Sequence, residues 1–161
     1  MTAGNGQKML YLLFQIGRDR YALEAAQVAL VLPLAQLKKV PATPPWVMGL
    51  FNYGGQHVPV LDISLLATGQ AAAARLSTRL VLVHYTPEGK PTQLLGLVVE
   101  KATNTLRCNP ADFSHSGLSN EAAAYLGPVL RQDDGLIQRI NVQDLLDPSV
   151  QAVLFPEVVS A

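Results

Sequence analysis

Turn-forming residues recur along this chain roughly every eight to twelve positions, which leaves no run long enough for the helix that a parallel crossover needs. Between the turns lie short apolar segments. Met9 to Ile16 alternates, with Leu10, Leu12, Phe14 and Ile16 on one predicted face. Gly17 to Arg20 is a turn, Tyr21 to Leu23 starts a return strand, and Glu24 to Gln27 makes a short helical or bulged crossover. Val28 to Leu34 is a strand ending near Pro33. Pro41 to Pro45 forces extended backbone, after which Pro45 opens a short helical segment carrying Trp46, Val47 and Met48. Gly49 to Asn52 and His57 to Ile63 are hairpin arms around Tyr53-Gly54-Gly55, and Pro59 places the second arm at an edge or bulge.

Asp62 to Leu66 opens a capped short helix that stops near Gly69, and the alanine-rich Gln70 to Ser77 is read as a surface linker or a frayed turn. Strands follow at Arg79 to Tyr85, Leu94 to Glu100 and Ala102 to Arg107. A polar loop runs from Cys108 to Asn120, and one helical turn from Glu121 to Tyr125. Leu126 to Arg131 and Leu136 to Val142 flank an Asp-Gly hairpin turn, and short helical pieces at Val142 to Leu146 and Val150 to Phe155 close the chain. Nine or ten short strands of this kind predict an all-β barrel or sandwich.

Charge narrows the function. The 12 basic and 12 acidic residues cancel, so no basic face marks a nucleic-acid footprint. Only 15% of residues are charged, against about 25% in an average protein. From Tyr21 to Ala74 the charges are Glu24, Lys38, Lys39 and Asp62 alone. A domain of this size cannot hide so apolar a stretch completely, so part of it is expected to surface as a partner patch. Cys108 has no second cysteine to bridge, which points to a reducing compartment. No segment predicts membrane insertion, and a cytoplasmic location is expected.

Catalysis finds little support. Cys108, with His115 seven residues on, lacks a recognisable base partner, and His57, His84 and His115 lack metal-site spacing. Gly54-Gly55 has no Gly-Lys-Ser/Thr after it and reads as a hairpin turn, not a phosphate loop. Asp62, at a strand-to-helix junction, is read as a helix cap ahead of an acid or base. Trp46 is read as filling the core or anchoring an interface. Neither a cofactor nor a metal is expected.

Several segments, in order, resemble the CheW family of chemosensory coupling proteins. Phe14-Gln15-Ile16-Gly17 with Tyr21-Ala22-Leu23 is similar to its opening hairpin. Val28 to Leu32 stands where the family carries Val-x-Glu-Ile, and Asn52-Tyr53-Gly54-Gly55 where it carries Asn-Leu-Arg-Gly. Val58-Pro59-Val60-Leu61-Asp62-Ile63 is similar to Val-Pro-Val-Val-Asp-Leu. Gly96 to Glu100, Leu126-Gly127 and Asn141 to Leu146 extend the likeness to about residue 155. Leu30, Gly54 and Ser64 replace family charges. The resemblance implies two small SH3-like five-stranded β-barrels side by side, in one domain over 8–156 with a boundary near 86–91 that allows shared strands, and flexible tails at 1–7 and 157–161. It implies a non-catalytic adaptor that joins the cytoplasmic tip of a chemoreceptor to the regulatory domain of a CheA-type histidine kinase at receptor clusters. The alternatives are a detached kinase regulatory domain of the same fold, or a small-molecule-binding barrel. The expected interface runs through Val28, Leu30, Val31 and Leu32, the turn Asn52, Tyr53, Gly54 and Gly55, and Leu126 and Gly127; the apolar surface also allows self-association.

Overall fold

The computed structural model describes residues 7–115, 117, 123–133 and 135–156. Its strands are β1 (Met9–Ile16), β2 (Asp19–Glu24), β3 (Val28–Pro33), β4 (Val47–Tyr53), β5 (Gln56–Asp62), β6 (Arg79–Tyr85), β7 (Gln93–Cys108), β8 (Leu126–Gln132) and β9 (Gly135–Ile140). Two short helices, α1 (Ile63–Thr68) and α2 (Pro148–Leu154), and single 3-10 turns complete the described chain. The expected tails (residue 7 apart), the start of the turn at 121–125, part of the loop from Cys108 to Asn120, and Asp134 of the last hairpin lie outside the described residues.

The strands make two five-stranded units that share β7. In the first, the C-terminal half of β7 pairs with β1, then β2, β9 and β8 follow. In the second, β3 pairs with β6, then the N-terminal half of β7, β5 and β4. Two contacts are parallel, β2 with β9 and β5 with β7. The ladders leave each unit open between its end strands, and one isolated bridge spans each gap. Ser114, just beyond β7, exchanges two backbone hydrogen bonds of 2.8 Å with Val129 of β8. Lys38, just beyond β3, does the same with Leu50 of β4 at 2.9 and 2.8 Å. The second bridge requires glycine at position 49, whose φ is 137° and where an added Cβ would lie 2.4 Å from the Lys38 carbonyl oxygen.

β7 changes partner in mid-strand. It pairs with β6 through Val99, and with β1 from Glu100 onward. A register shift opposite Leu13 to Gln15, with Lys101 at a φ of 52°, bends the strand without ending it. The separate strand expected at Ala102 to Arg107 is therefore the second half of β7. Residues 86–92 form the connection of the β6–β7 hairpin, and β7, shared by the two units, passes from one to the other near Glu100.

Three apolar clusters hold the molecule. One lies inside the first unit (Tyr11, Ala22, Phe113, Leu130 and Ile137) and one inside the second (Val58, Val60, Leu80, Leu82 and Val98). The third and largest forms a seam to which both units contribute. It takes Phe14 and Leu23 from the first, Leu61, Val81 and Leu97 from the second, and Val150 and Leu154 from α2. This corrects the one-faced reading of β1. Leu12, Phe14 and Ile16 do share the seam, but Tyr11 is fully buried on the other side and Leu10 is partly exposed.

Two further expectations need correction. Val47 and Met48 belong to β4, not to a helical segment, because a turn at Pro45 and Trp46 leads directly into strand pairing of Val47 with Leu61. Pro59 sits in a strand paired on both sides; it is accommodated because the β7 ladder begins only at Val60. Gln70 to Ser77, mostly exposed and without helix or strand, is a surface linker that is tied down at several points. The Ala72 N–H donates to Asp62 Oδ2 at 2.9 Å, the Ser64 hydroxyl donates to the Gln70 carbonyl at 2.8 Å, and Thr78 Oγ1 donates to the Ala73 carbonyl.

Candidate partner interface

β3 is an end strand that pairs only with β6 among the described residues. Its side chains alternate. Leu30 and Leu32 turn inward against the cluster inside the second unit, while Val28 packs against the seam. Of the four β3 residues expected at the interface, Val31 alone is open, 41% exposed, and Ala29 and Pro33 flank it outward. Leu30 therefore anchors the strand, and its neighbour Val31 presents it. Leu34 continues the apolar edge at 40% exposed, a residue the sequence reading placed in β3 without assigning it to the surface.

The hairpin turn stands at the other end of the same unit. Tyr53 pairs with Gln56 across Gly54 and Gly55, whose φ values of 57° and 90° meet the requirement of the mirror-image turns that suit hairpins. The Gly55 N–H donates to Asn52 Oδ1 at 2.9 Å and rigidifies the tip. Asn52, Tyr53, Gly54 and Gly55 are all exposed, and Tyr53 stacks on Phe51 with ring centroids 6.3 Å apart. The Lys38–Leu50 bridge links this arm to the chain leaving β3.

Leu126 and Gly127 lie elsewhere, in β8 of the first unit. Leu126 packs against the seam, and Gly127 is buried where an added Cβ would sit 2.9 Å from Asn141 Oδ1. The structure thus gathers the β3 and turn residues in one unit and leaves the third pair as packing residues of the other.

The remaining candidates have local explanations. Asp62 caps α1, with Oδ1 accepting from the Leu65 N–H at 3.1 Å and Oδ2 from Ala72, so both oxygens are committed to backbone. Burial, then the nearby Asp112, push the Cys108 thiol above its ordinary pKa, the reverse of what a nucleophilic cysteine needs. His57, His84 and His115 are exposed, and His115 Nδ1 accepts from the Gly117 N–H at 2.9 Å. No group of three or more His, Cys, Asp or Glu is placed to share a metal among the described residues. Trp46 is half-buried against the seam and also lines an open cavity of about 530 Å³ with Leu66, Tyr125 and Gln143.

What the fold and surface define is a scaffold of two β-units on a common seam, with an apolar, charge-poor edge on one unit. The family model for the CheW-like domain matches residues 10–149, and the chain belongs to that family. It is 24% identical over 144 residues to the chemotaxis protein CheW of Helicobacter pylori, covering 88% of this chain and 84% of the relative. With the chemotaxis protein CheW of Bacillus subtilis it shares 20% over 154 residues, 94% of each. The crystal structure of the scaffolding protein TtCheW from Thermoanaerobacter tengcongensis superposes with a TM-score of 0.77 at 18% identity, over 93% of this chain and 95% of that one, and bears out the fold. No described helix is long and apolar enough to cross a membrane.

Proposed function

We propose that this chain is a non-catalytic adaptor, one domain over 8–156, that couples the cytoplasmic tip of a chemoreceptor to the regulatory domain of a CheA-type histidine kinase. The observation that carries this reading is the CheW-like match over residues 10–149, on a fold that keeps both barrel-like units. The surface supports it, because an open strand edge and an exposed, hydrogen-bonded turn carrying Tyr53 are suited to holding partners by contact. In this reading Val31 and the turn Asn52 to Gly55 face partners, while Leu30, Leu32, Leu126 and Gly127 hold those surfaces in shape. Signal passes as a shift in the population of kinase states, with the adaptor recruited from the cytoplasm to receptor clusters.

Of the positions where the resemblance implies charges, Leu30 turns inward and Ser64 is buried, but Gly54 is exposed at the turn; with no charge there, receptor binding in this reading rests on packing with little charge steering. The test is a pull-down of the purified chain with a CheA-type regulatory domain and, separately, with a receptor-tip fragment, each at low and high salt. Saturable binding to both, little weakened by salt, is expected. Failure to bind either bait with the protein folded would overturn the adaptor reading.

A further inference from the structure

Past the end of β3 the second unit has a hole. An apolar cavity of about 200 Å³ opens onto that unit's inner cluster, walled by Leu34, Leu37, Met48, Ala74, Leu80 and Val98. Asp62 also lines it, but it is buried and each of its oxygens accepts a backbone N–H, so an apolar occupant strands no polar atom there. Drug-sized ligands take roughly 300 Å³ or more. The space suits one branched aliphatic side chain carried by a larger partner.

The charges beside the hole are cations. Lys38 follows Leu37 in the chain, Arg75 follows Ala74, and Arg79 follows Thr78, so each has its Cα about 3.8 Å from that of a residue lining the hole. Lys38, its neighbour Lys39 and Arg75 are exposed, while the Arg79 guanidinium donates to the Leu76 and Thr78 carbonyls. The backbone beneath them is fixed. Lys38 is bridged to Leu50, and the Arg75 N–H donates to Thr78 Oγ1 at 3.1 Å. From Val28 to Thr86 the one acidic residue is the buried Asp62. Glu100 and Lys101, just beyond the Val99 that pairs with Arg79, offset each other. A second copy of the chain would set these cations against their own kind, so the occupant carries the opposite sign.

From this juxtaposition we infer that the hole takes a leucine-like side chain presented by an acidic segment of a partner protein, whose carboxylates lie against Lys38, Arg75 and Arg79. The apolar anchor supplies affinity and the cations supply steering and orientation. This site is separate from Val31 and from the turn Asn52 to Gly55, and it goes beyond the adaptor reading. It adds one charge-steered contact to contacts that rest on packing.

Methyl-detected NMR on the whole chain, titrated with the synthetic peptide Asp-Glu-Leu-Glu-Asp, tests this. Saturable shifts are expected at the methyl groups of Leu37, Met48, Leu80 and Val98. Replacing the peptide's leucine by glycine should weaken binding about tenfold or more. Raising the salt from about 0.01 M to about 1 M should weaken it by a similar factor. The double variant Lys38→Glu with Arg75→Glu, both at exposed positions, should release the acidic peptide and take Lys-Lys-Leu-Lys-Lys, which the wild type refuses. No saturable shift at these methyls, equal binding of the two peptides by the wild type, or a folded double variant that keeps the wild-type preference would overturn the inference. Shifts of the same methyls on diluting the chain alone would also overturn it, by assigning the hole to a second copy.

Discussion

The two units share a strand and a seam, yet their surfaces differ. The first, built from β1, β2, β8, β9 and the end of β7, carries frequent charges, among them Arg18, Asp19, Arg20, Glu24, Lys101 and Arg107. Some are bound into its structure. Arg139 pairs with Glu24 at 3.4 Å and lies 5.7 Å over the Phe113 ring. The second unit is longer and poorer in charge; between Val28 and Val99 it has Lys38, Lys39, Asp62, Arg75, Arg79, Glu88 and Lys90. Each unit has an end strand, β8 in the first and β3 in the second, but the second has four exposed large apolar residues, Val31, Leu34, Tyr53 and Leu76, against Leu10 and Leu136 in the first. The two units have similar strand counts, so the fold does not demand this asymmetry. On the proposed reading, the charge-poor second unit is the partner face.

That comparison breaks most visibly at the seam. Leu97→Ala removes a fully buried residue from the shared cluster and should cost about 2–5 kcal/mol, with both units melting in one transition by calorimetry. Two separated transitions would mean that the units are independent bodies. Gly49→Ala comes next, at roughly 1–3 kcal/mol, because the new Cβ meets the Lys38 carbonyl and opens the bridge that closes the second unit. Chemical denaturation would read this, and an unchanged midpoint would show the bridge to be dispensable.

β3 offers the sharpest contrast at neighbouring positions. Leu30→Glu should cost about 1–3 kcal/mol by pushing a carboxylate into the inner cluster. Val31→Glu should stay within about 0.5 kcal/mol while weakening partner binding. Equal thermal shifts would erase the inward–outward distinction.

The smallest effect concerns Tyr85, whose hydroxyl is buried with no hydrogen-bond partner among the described residues and whose ring stacks on Phe155 at 5.5 Å. Burial, then nearby Asp144, push its pKa up to about 12. With the folded value raised, the stability tied to the neutral phenol is fully present below the ordinary value of 10.0 and is lost as pH rises through about 12. Tyr85→Phe removes the orphan hydroxyl, so it should be neutral or stabilising by up to about 1 kcal/mol near neutral pH and should flatten the alkaline limb of a pH–stability curve. A steep limb left unchanged would assign alkaline unfolding to other groups.

Much of this architecture was legible because turns and caps are local. Gly54-Gly55 required a hairpin, and Asp62 and Gly69 bracketed a helix, each through backbone geometry that neighbouring residues decide. The charge-poor stretch also announced an apolar surface. What escaped depended on distant partners. β7 looked like two strands because its bend at Lys101 matters only once β6 and β1 are in place. The anchors of the linker Gln70 to Ser77 escaped because Asp62 and Thr78 hold it through hydrogen bonds that need the folded chain. Leu30 looked like a surface residue by its match to a family position, yet β3 alternation turns it inward and Val31 outward. Nothing local marked Leu76 as exposed, since an isolated leucine in an alanine-rich loop has no periodicity to read.

The central claim, that the second unit is the partner face, is tested most directly by amide hydrogen exchange on the intact chain. Exchange would be measured alone, with a CheA-type regulatory domain, and with a receptor-tip fragment. The account predicts that at least one partner slows exchange along β3 around Val31 and at the turn from Asn52 to Gly55. Protection by both partners confined to β1, β2, β8 and β9 would contradict it.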